Sequence, residues 1–113
     1  MGRMLEMRRD RHANTTILSL SGEVDLHVSG ELRQALLDEL SQDRDVLIDM
    51  EGVGYIDSSG IASMIEGFQR ARKAGRRFAL ARVPESAMRV LRIAQLDRVF
   101  LLLDTPDPDF EGR

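Results

Sequence analysis

Apolar and polar positions change period several times along the chain, and each change marks an element. Met4 to Asp10 mixes apolar and charged residues and reads as a weak edge strand. Ala13-Asn14 fits a turn, and Thr15 to Ser21 is a clearer strand, with Ile17, Leu18 and Leu20 among β-formers and Ser21-Gly22 closing it. Glu23 to His27 reads as a connection. From Val28 the period becomes helical: Val28, Leu32, Ala35, Leu36 and Leu40 share one face, while Glu31, Arg33, Gln34 and Asp38 fall away from it. After a polar break at Ser41 to Arg44, the short apolar run Val46 to Met50 fits a buried central strand, and Glu51 to Tyr55 reads as a loop. A second helix is predicted from Ser59 to Ala74, with Ile61, Met64, Ile65, Phe68 and Ala71 as its stripe and Gly75 as its C-terminal cap. Phe78 to Ala81 is a further strand. Pro84 can open a third helix with Ala87, Val90, Leu91 and Ala94 facing inward, and Val99 to Leu103 is a last strand.

The predicted order is β-β-α-β-α-β-α-β. Strands alternating with amphipathic helices imply an α/β fold: a mixed four- to five-stranded sheet with helices mainly on one face and an antiparallel contact at the N-terminal hairpin. The length of 113 residues fits one domain. Residues 4–103 are expected to be structured. Residues 104–113 carry two prolines and several charges, which predicts a frayed tail and leaves open whether a helix forms there. Hydrophobic residues at 42% against 31% charged support a packed core, and only 4% aromatics make that core largely aliphatic.

The chain has no cysteine and two histidines, His12 and His27, so disulfides, thiolate chemistry and a histidine-rich metal site are excluded. No run approaches the ~20 apolar residues of a membrane span. The charged N-terminus does not resemble a signal peptide, so the expectation is a cytoplasmic protein without direct membrane insertion. A net charge of −3 gives no bulk drive toward nucleic acid.

The candidate chemistry lies in Asp57-Ser58-Ser59-Gly60, where an apolar run meets the start of a helical pattern. A helix start exposes unpaired N–H groups and the positive end of the dipole. A serine there either caps the helix or accepts a phosphate. A nucleophilic serine would need a base and an oxyanion hole. The segment is not G-x-S-x-G and no orienting residue is evident, so an enzyme is not expected.

In this setting the chain resembles the STAS family, the sulfate transporter and anti-sigma factor antagonist domains. Leu20-Ser21-Gly22-Glu23-Val24-Asp25 is similar to the family's L-x-G-x-x-D strand end. Residues 46–61, from Val46 through Asp57-Ser58-Ser59-Gly60 to Ile61, resemble its central strand and phosphorylation loop, and Arg72-Lys73-Ala74-Gly75 resembles its second helix end. Among its members the chain is most like the stand-alone anti-sigma factor antagonists. The resemblance implies that Ser58 is the phosphoacceptor, that Asp25, Asp57 and Ser59 belong to the acceptor loop, and that Gly60 is the small residue that lets a partner approach. It implies an anti-sigma factor with serine kinase activity as partner, a serine phosphatase that resets the switch, and no cofactor here, ATP and magnesium belonging to the kinase. The partner-binding face is expected to include Ser63, Glu66, Gly67 and Arg70 on the outer side of the second helix. Gly67 costs roughly 1 kcal/mol relative to alanine in a helix interior, and either a partner's approach or close internal packing explains it. The alternative function is a constitutive STAS interaction subunit of a membrane transport complex, which needs the fold but no phosphate chemistry.

Overall fold

The computed structural model describes residues 5–111 and contains β1 (Glu6–His12), β2 (Thr15–Val24), α1 (Ser29–Leu40), β3 (Asp45–Ile56), α2 (Ser58–Ala74), β4 (Phe78–Ala81), α3 (Glu85–Ile93), a 3₁₀ turn (Leu96–Arg98) and β5 (Leu101–Leu103). The five strands lie in the order β1-β2-β3-β4-β5. The β1–β2 pair is antiparallel and every later pair is parallel. Each helix therefore carries the chain from one strand to its parallel neighbour, the connection that parallel pairing demands. The predicted α/β class, element order and mixed sheet are all present.

Alternation along the strands sorts the apolar residues onto two faces. Leu18, Ile48 and Leu80 join the larger core with Leu32 and Leu36 of α1, Met64 and Ala71 of α2, and Ala87 and Leu91 of α3. All three helices thus cover one face. Ile17, Leu47, Ala79 and Ala81 face the other way, and there Phe110 packs on them. Phe110 is buried, its carbonyl accepts a hydrogen bond from Arg77 Nη1, and its ring lies 5.0 Å beneath the Arg77 guanidinium. This corrects the expected fraying of residues 104–113 as far as Phe110. Residues 104–111 form no helix, and the segment lays one aromatic on an otherwise open sheet face.

A second correction concerns Glu51 to Tyr55, expected as a loop. Strand β3 runs on to Ile56, pairing with Ser21 to Val24 of β2 through two register shifts. Gly52 is what makes this feasible: a Cβ there would come within 2.8 Å of the Leu20 carbonyl oxygen. A glycine that looks like a loop signal here marks a bulge with close backbone approach. Val53 and Ile56 are buried, which anchors the extension.

Three of the four phenylalanines form one cluster. Phe68 meets Phe78 and Phe100 edge-to-face at centroid distances of 6.3 and 5.6 Å, a favoured aromatic geometry. It knits α2 to β4 and to the approach to β5 in an otherwise aliphatic core. Gly75 ends α2 in the left-handed region at φ 69°, with the Arg76 N–H returning to the Ala71 carbonyl at 2.8 Å, as a glycine C-cap does.

Candidate functional site

Parallel β2 and β3 end side by side, so the loops leaving them adjoin. The Asp57 N–H donates to the Val24 carbonyl at 3.1 Å, and the Leu26 N–H donates to Asp57 Oδ2 at 3.2 Å. The β2–α1 and β3–α2 loops are therefore tied together through one residue. Clefts at the carboxyl ends of parallel strands are where α/β sheets commonly place their sites.

Asp57 is also the N-cap of α2. Its Oδ1 accepts from the backbone N–H of Ser59 at 2.9 Å and of Gly60 at 3.2 Å, and from the Ser59 hydroxyl at 2.5 Å. The Ser59 hydroxyl above all holds the Asp57 carboxyl below the usual carboxylate range; burial pushes it up, and the backbone N–H groups of Gly60, Ser59 and Leu26 add to the lowering. The cap is thus an aspartate, whereas the sequence left it between the two serines. The Ser58 side chain is exposed, and its hydroxyl has no hydrogen bond to any described residue. Two of the N–H donors that a phosphate on Ser58 could have used are already taken by Asp57.

Asp25 is half-buried in the neighbouring loop. Its Oδ1 accepts from the His27 N–H at 3.0 Å and its carbonyl accepts from Val28 and Ser29 at 3.1 and 2.9 Å. It shapes the turn into α1, and the shared Asp57 tether brings that turn beside the Ser58 loop.

Other expected site residues face inward, which corrects their placement on an outer surface. Ser63 is buried and donates to the carbonyls of Ser29, at 2.9 Å, and Ser59, at 3.1 Å. A Cβ on Gly60 would come within 2.7 Å of Val24 Cγ1 and 2.8 Å of Ile56 Cγ1, so this glycine seats α2 on the sheet. At Gly67 a Cβ would meet Leu36 Cδ1 at 2.9 Å and Phe78 Cε2 at 3.2 Å, so internal packing accounts for it. Gly60 was expected to admit a partner and Gly67 either a partner or internal packing, and both sit where a helix must approach its own neighbours. Glu66 is half-buried and accepts from Arg33 Nε at 2.7 Å, bridging α2 to α1.

Sequence reasoning missed two residues at this end. Leu26 is 73% exposed and Tyr55 51% exposed; Tyr55 lies two residues before Asp57, and the Leu26 N–H is bonded to the Asp57 carboxylate. The signal was present: Leu26 is stranded between Asp25 and His27, off the helical stripe, and Tyr55 alternates with inward-facing Ile56. Large apolar side chains held in the open on the two loops that Asp57 joins form a surface suited to burial against another protein.

Comparison with known proteins agrees with this geometry. The family model described as "Mlab, STAS domain" matches residues 7–104. An anti-sigma-B factor antagonist of Bacillus subtilis is 27% identical over 86 residues, which cover 76% of this chain and 79% of that protein. The crystal structure of an anti-sigma factor antagonist from Mycobacterium paratuberculosis superposes with a TM-score of 0.82 at 21% identity, covering 93% of this chain and 92% of that one. The Bacillus cell fate determinant SpoIIAA in its phosphorylated form shares the fold with a TM-score of 0.71 at 17% identity, covering 86% and 90%. With the family model spanning the sheet, all three helices and the Asp57–Gly60 turn, the chain belongs to the STAS domain family.

Proposed function

We propose that this chain is an anti-sigma factor antagonist that works by partner switching, with Ser58 as the switch. The observation that carries the reading is the division of labour in the turn: Asp57 caps α2 and engages the Ser59 hydroxyl, and Ser58 is left exposed and unbonded. A serine needed for capping could not be modified without cost to the helix. Ser58 can be. The antagonists named among similar proteins support the same reading.

In the unphosphorylated form Ser58 is a neutral hydroxyl in the loop that Asp57 ties to Leu26, and this surface docks on an anti-sigma factor and frees its sigma factor. The anti-sigma factor acts in turn as a serine kinase. The Ser58 Oγ–P bond forms as the bond from the γ-phosphorus to the ADP oxygen breaks, and the hydroxyl proton passes to a base of the kinase. ATP and magnesium belong to that kinase, and a separate phosphatase resets the switch by hydrolysis. The new group carries about 1.5 to 2 negative charges. Because Asp57 already occupies the Ser59 and Gly60 N–H groups, the dianion gains little from the helix end and stands beside a carboxylate. Burying it against the partner brings like-charge repulsion and desolvation. Moving an equilibrium from nearly all bound to nearly all free takes about 5 kcal/mol, within reach of a buried phosphate without a cationic partner.

Calorimetric titration of the anti-sigma factor with Ser58→Ala and Ser58→Asp tests this. The alanine variant binds and stays bound when ATP is added, and the aspartate variant binds weakly. If both bind like the wild type in the presence of ATP, the switch is absent and a constitutive interaction subunit is the better reading.

A further inference from the structure

The described cations are not evenly neutralised. Arg8, Arg9, Arg11, Arg33, Arg44, Arg76, Arg77, Arg82 and Arg92 each pair with a carboxylate. Among the described residues, Arg72, Lys73, Arg89 and Arg98 lie within ion-pair distance of no carboxylate, and Arg70 is drawn only to Glu66, which Arg33 already engages. All five lie on the C-terminal half of α2, on α3, or on the 3₁₀ turn that follows it. The α2 dipole favours Arg72 and Lys73 at its C-terminal end, but it does not account for Arg98, which is on a different element.

The same region carries a groove. Ile65 and Phe68 of α2 face Leu96 and Val99 across it, and Gln69, Arg70, Arg72 and Lys73 line the rest together with Glu66, which is paired with Arg33 of α1. Val99 is 42% exposed, and Ile93, on the preceding helix, is 79% exposed. The lining sets three cations against one carboxylate, itself engaged by Arg33, so the groove is locally positive on a chain of net charge −3. The chain's own acidic tail does not supply the anions, because Phe110 fixes it to the opposite face of the sheet.

We propose that the α2–3₁₀ groove is a second docking site, separate from Ser58, for an acidic amphipathic segment of a partner protein: apolar residues on Ile65, Phe68, Leu96 and Val99, carboxylates on Arg70, Arg72, Lys73 and Arg98. A helix presenting leucines on one face with glutamates alongside matches this chemistry. It gives the molecule two ends, one whose binding is switched at Ser58 and one whose binding depends on ionic strength.

The test uses the full chain, isotope-labelled for amide NMR, with four probes: a helical Leu/Glu amphipathic peptide, polyglutamate, phosphatidylglycerol vesicles and duplex DNA. The site predicts that the amphipathic peptide moves the amides around Ile65, Phe68, Leu96 and Val99 and leaves those around Ser58 in place. It predicts that Arg72→Glu combined with Lys73→Glu and Arg98→Glu weakens the peptide about tenfold, that Val99→Ser also weakens it, and that added salt does the same. These substitutions are on exposed side chains, and an unchanged spectrum of the free variant establishes that it folds. Several results overturn the proposal: no shifts with the amphipathic peptide, equal binding of polyglutamate, binding confined to vesicles or DNA, or a groove occupied by a second copy of the chain in concentration-dependent dimers.

Discussion

Asp57 does three jobs with one carboxylate: it caps α2, fixes the Ser59 hydroxyl, and tethers Leu26 of the neighbouring loop. Asp57→Ala is expected to cost about 1 kcal/mol of stability, read by urea denaturation, and to weaken partner binding by releasing the Leu26 loop. Ser58→Ala is expected to leave stability within about 0.5 kcal/mol of wild type, since its hydroxyl supports nothing in the fold. The carboxylates also set a pH dependence. Asp57 is held low, first by the Ser59 hydroxyl. At Glu39 burial pushes upward, but Arg11 and Thr16 outweigh it, and at Asp45 burial is outweighed by Arg77 and Arg76, so both end below their ordinary values. A carboxyl whose folded pKa is depressed stabilises the fold above its unfolded pKa and loses that contribution as pH falls through the folded value. Stability measured by denaturant titration should therefore be flat near neutrality and fall below about pH 4, less steeply in Asp57→Asn. At this scale the sequence showed which residues form the turn, but not which of them caps it. Asp, Ser and Ser are all good caps, and only the position of the helix start decides among them.

The elements were legible wherever one period ran unbroken. The α1 stripe of Leu32, Ala35, Leu36 and Leu40 is buried as read, and β4 spans the residues expected. Several of the misreadings trace to glycine. Gly52 hid the continuation of β3, and Gly60 and Gly67 looked available to a partner when each fits against the fold's own side chains. On α3, Val90 and Ala94 were read as inward, yet Ala87 and Leu91 alone are buried and Val90 is exposed. A nine-residue helix is short enough that either edge of its stripe can turn outward. The two packing glycines differ in a way that can be measured. At Gly60 the added methyl meets two β-branched side chains and the Val24 carbonyl at 3.0 Å, so it cannot be relieved by one rotamer. Gly60→Ala should destabilise by about 1–3 kcal/mol. At Gly67 the nearest atom is the end of a leucine, which can move, and the gain of about 1 kcal/mol in helix propensity offsets part of the clash. Gly67→Ala should be the milder of the two in parallel thermal melts, and equal losses would mean that the two helix faces are packed alike.

At the scale of the molecule, the sheet has two faces and the sequence revealed only one of their covers. Three amphipathic helices announced the larger core. The second cover is a single residue, Phe110, in a segment whose prolines and charges read as disorder. Phe110→Ala should cost about 3 kcal/mol and expose Ile17, Leu47 and Ala79, seen as a lower melting temperature and easier aggregation. Buried charge was equally hard to read. Glu39 falls three residues after Leu36, on the apolar face of α1, where it accepts from Thr16 at 2.6 Å and pairs with Arg11. Composition cannot tell such a residue from a solvated one. The Asp57-Ser58-Ser59-Gly60 turn was legible because a strand and a helix bracket it; the exposure of Leu26 and Tyr55 was signalled by their places off the apolar patterns, but that the two loops meet through Asp57 was not.

The measurement that bears most directly on the switch is the intact mass and peptide map of the protein isolated from its native cells, in growth and under stress. The account predicts one phosphate, on Ser58, with an occupancy that changes between the two conditions. Absence of phosphate from Ser58 in both conditions would contradict it.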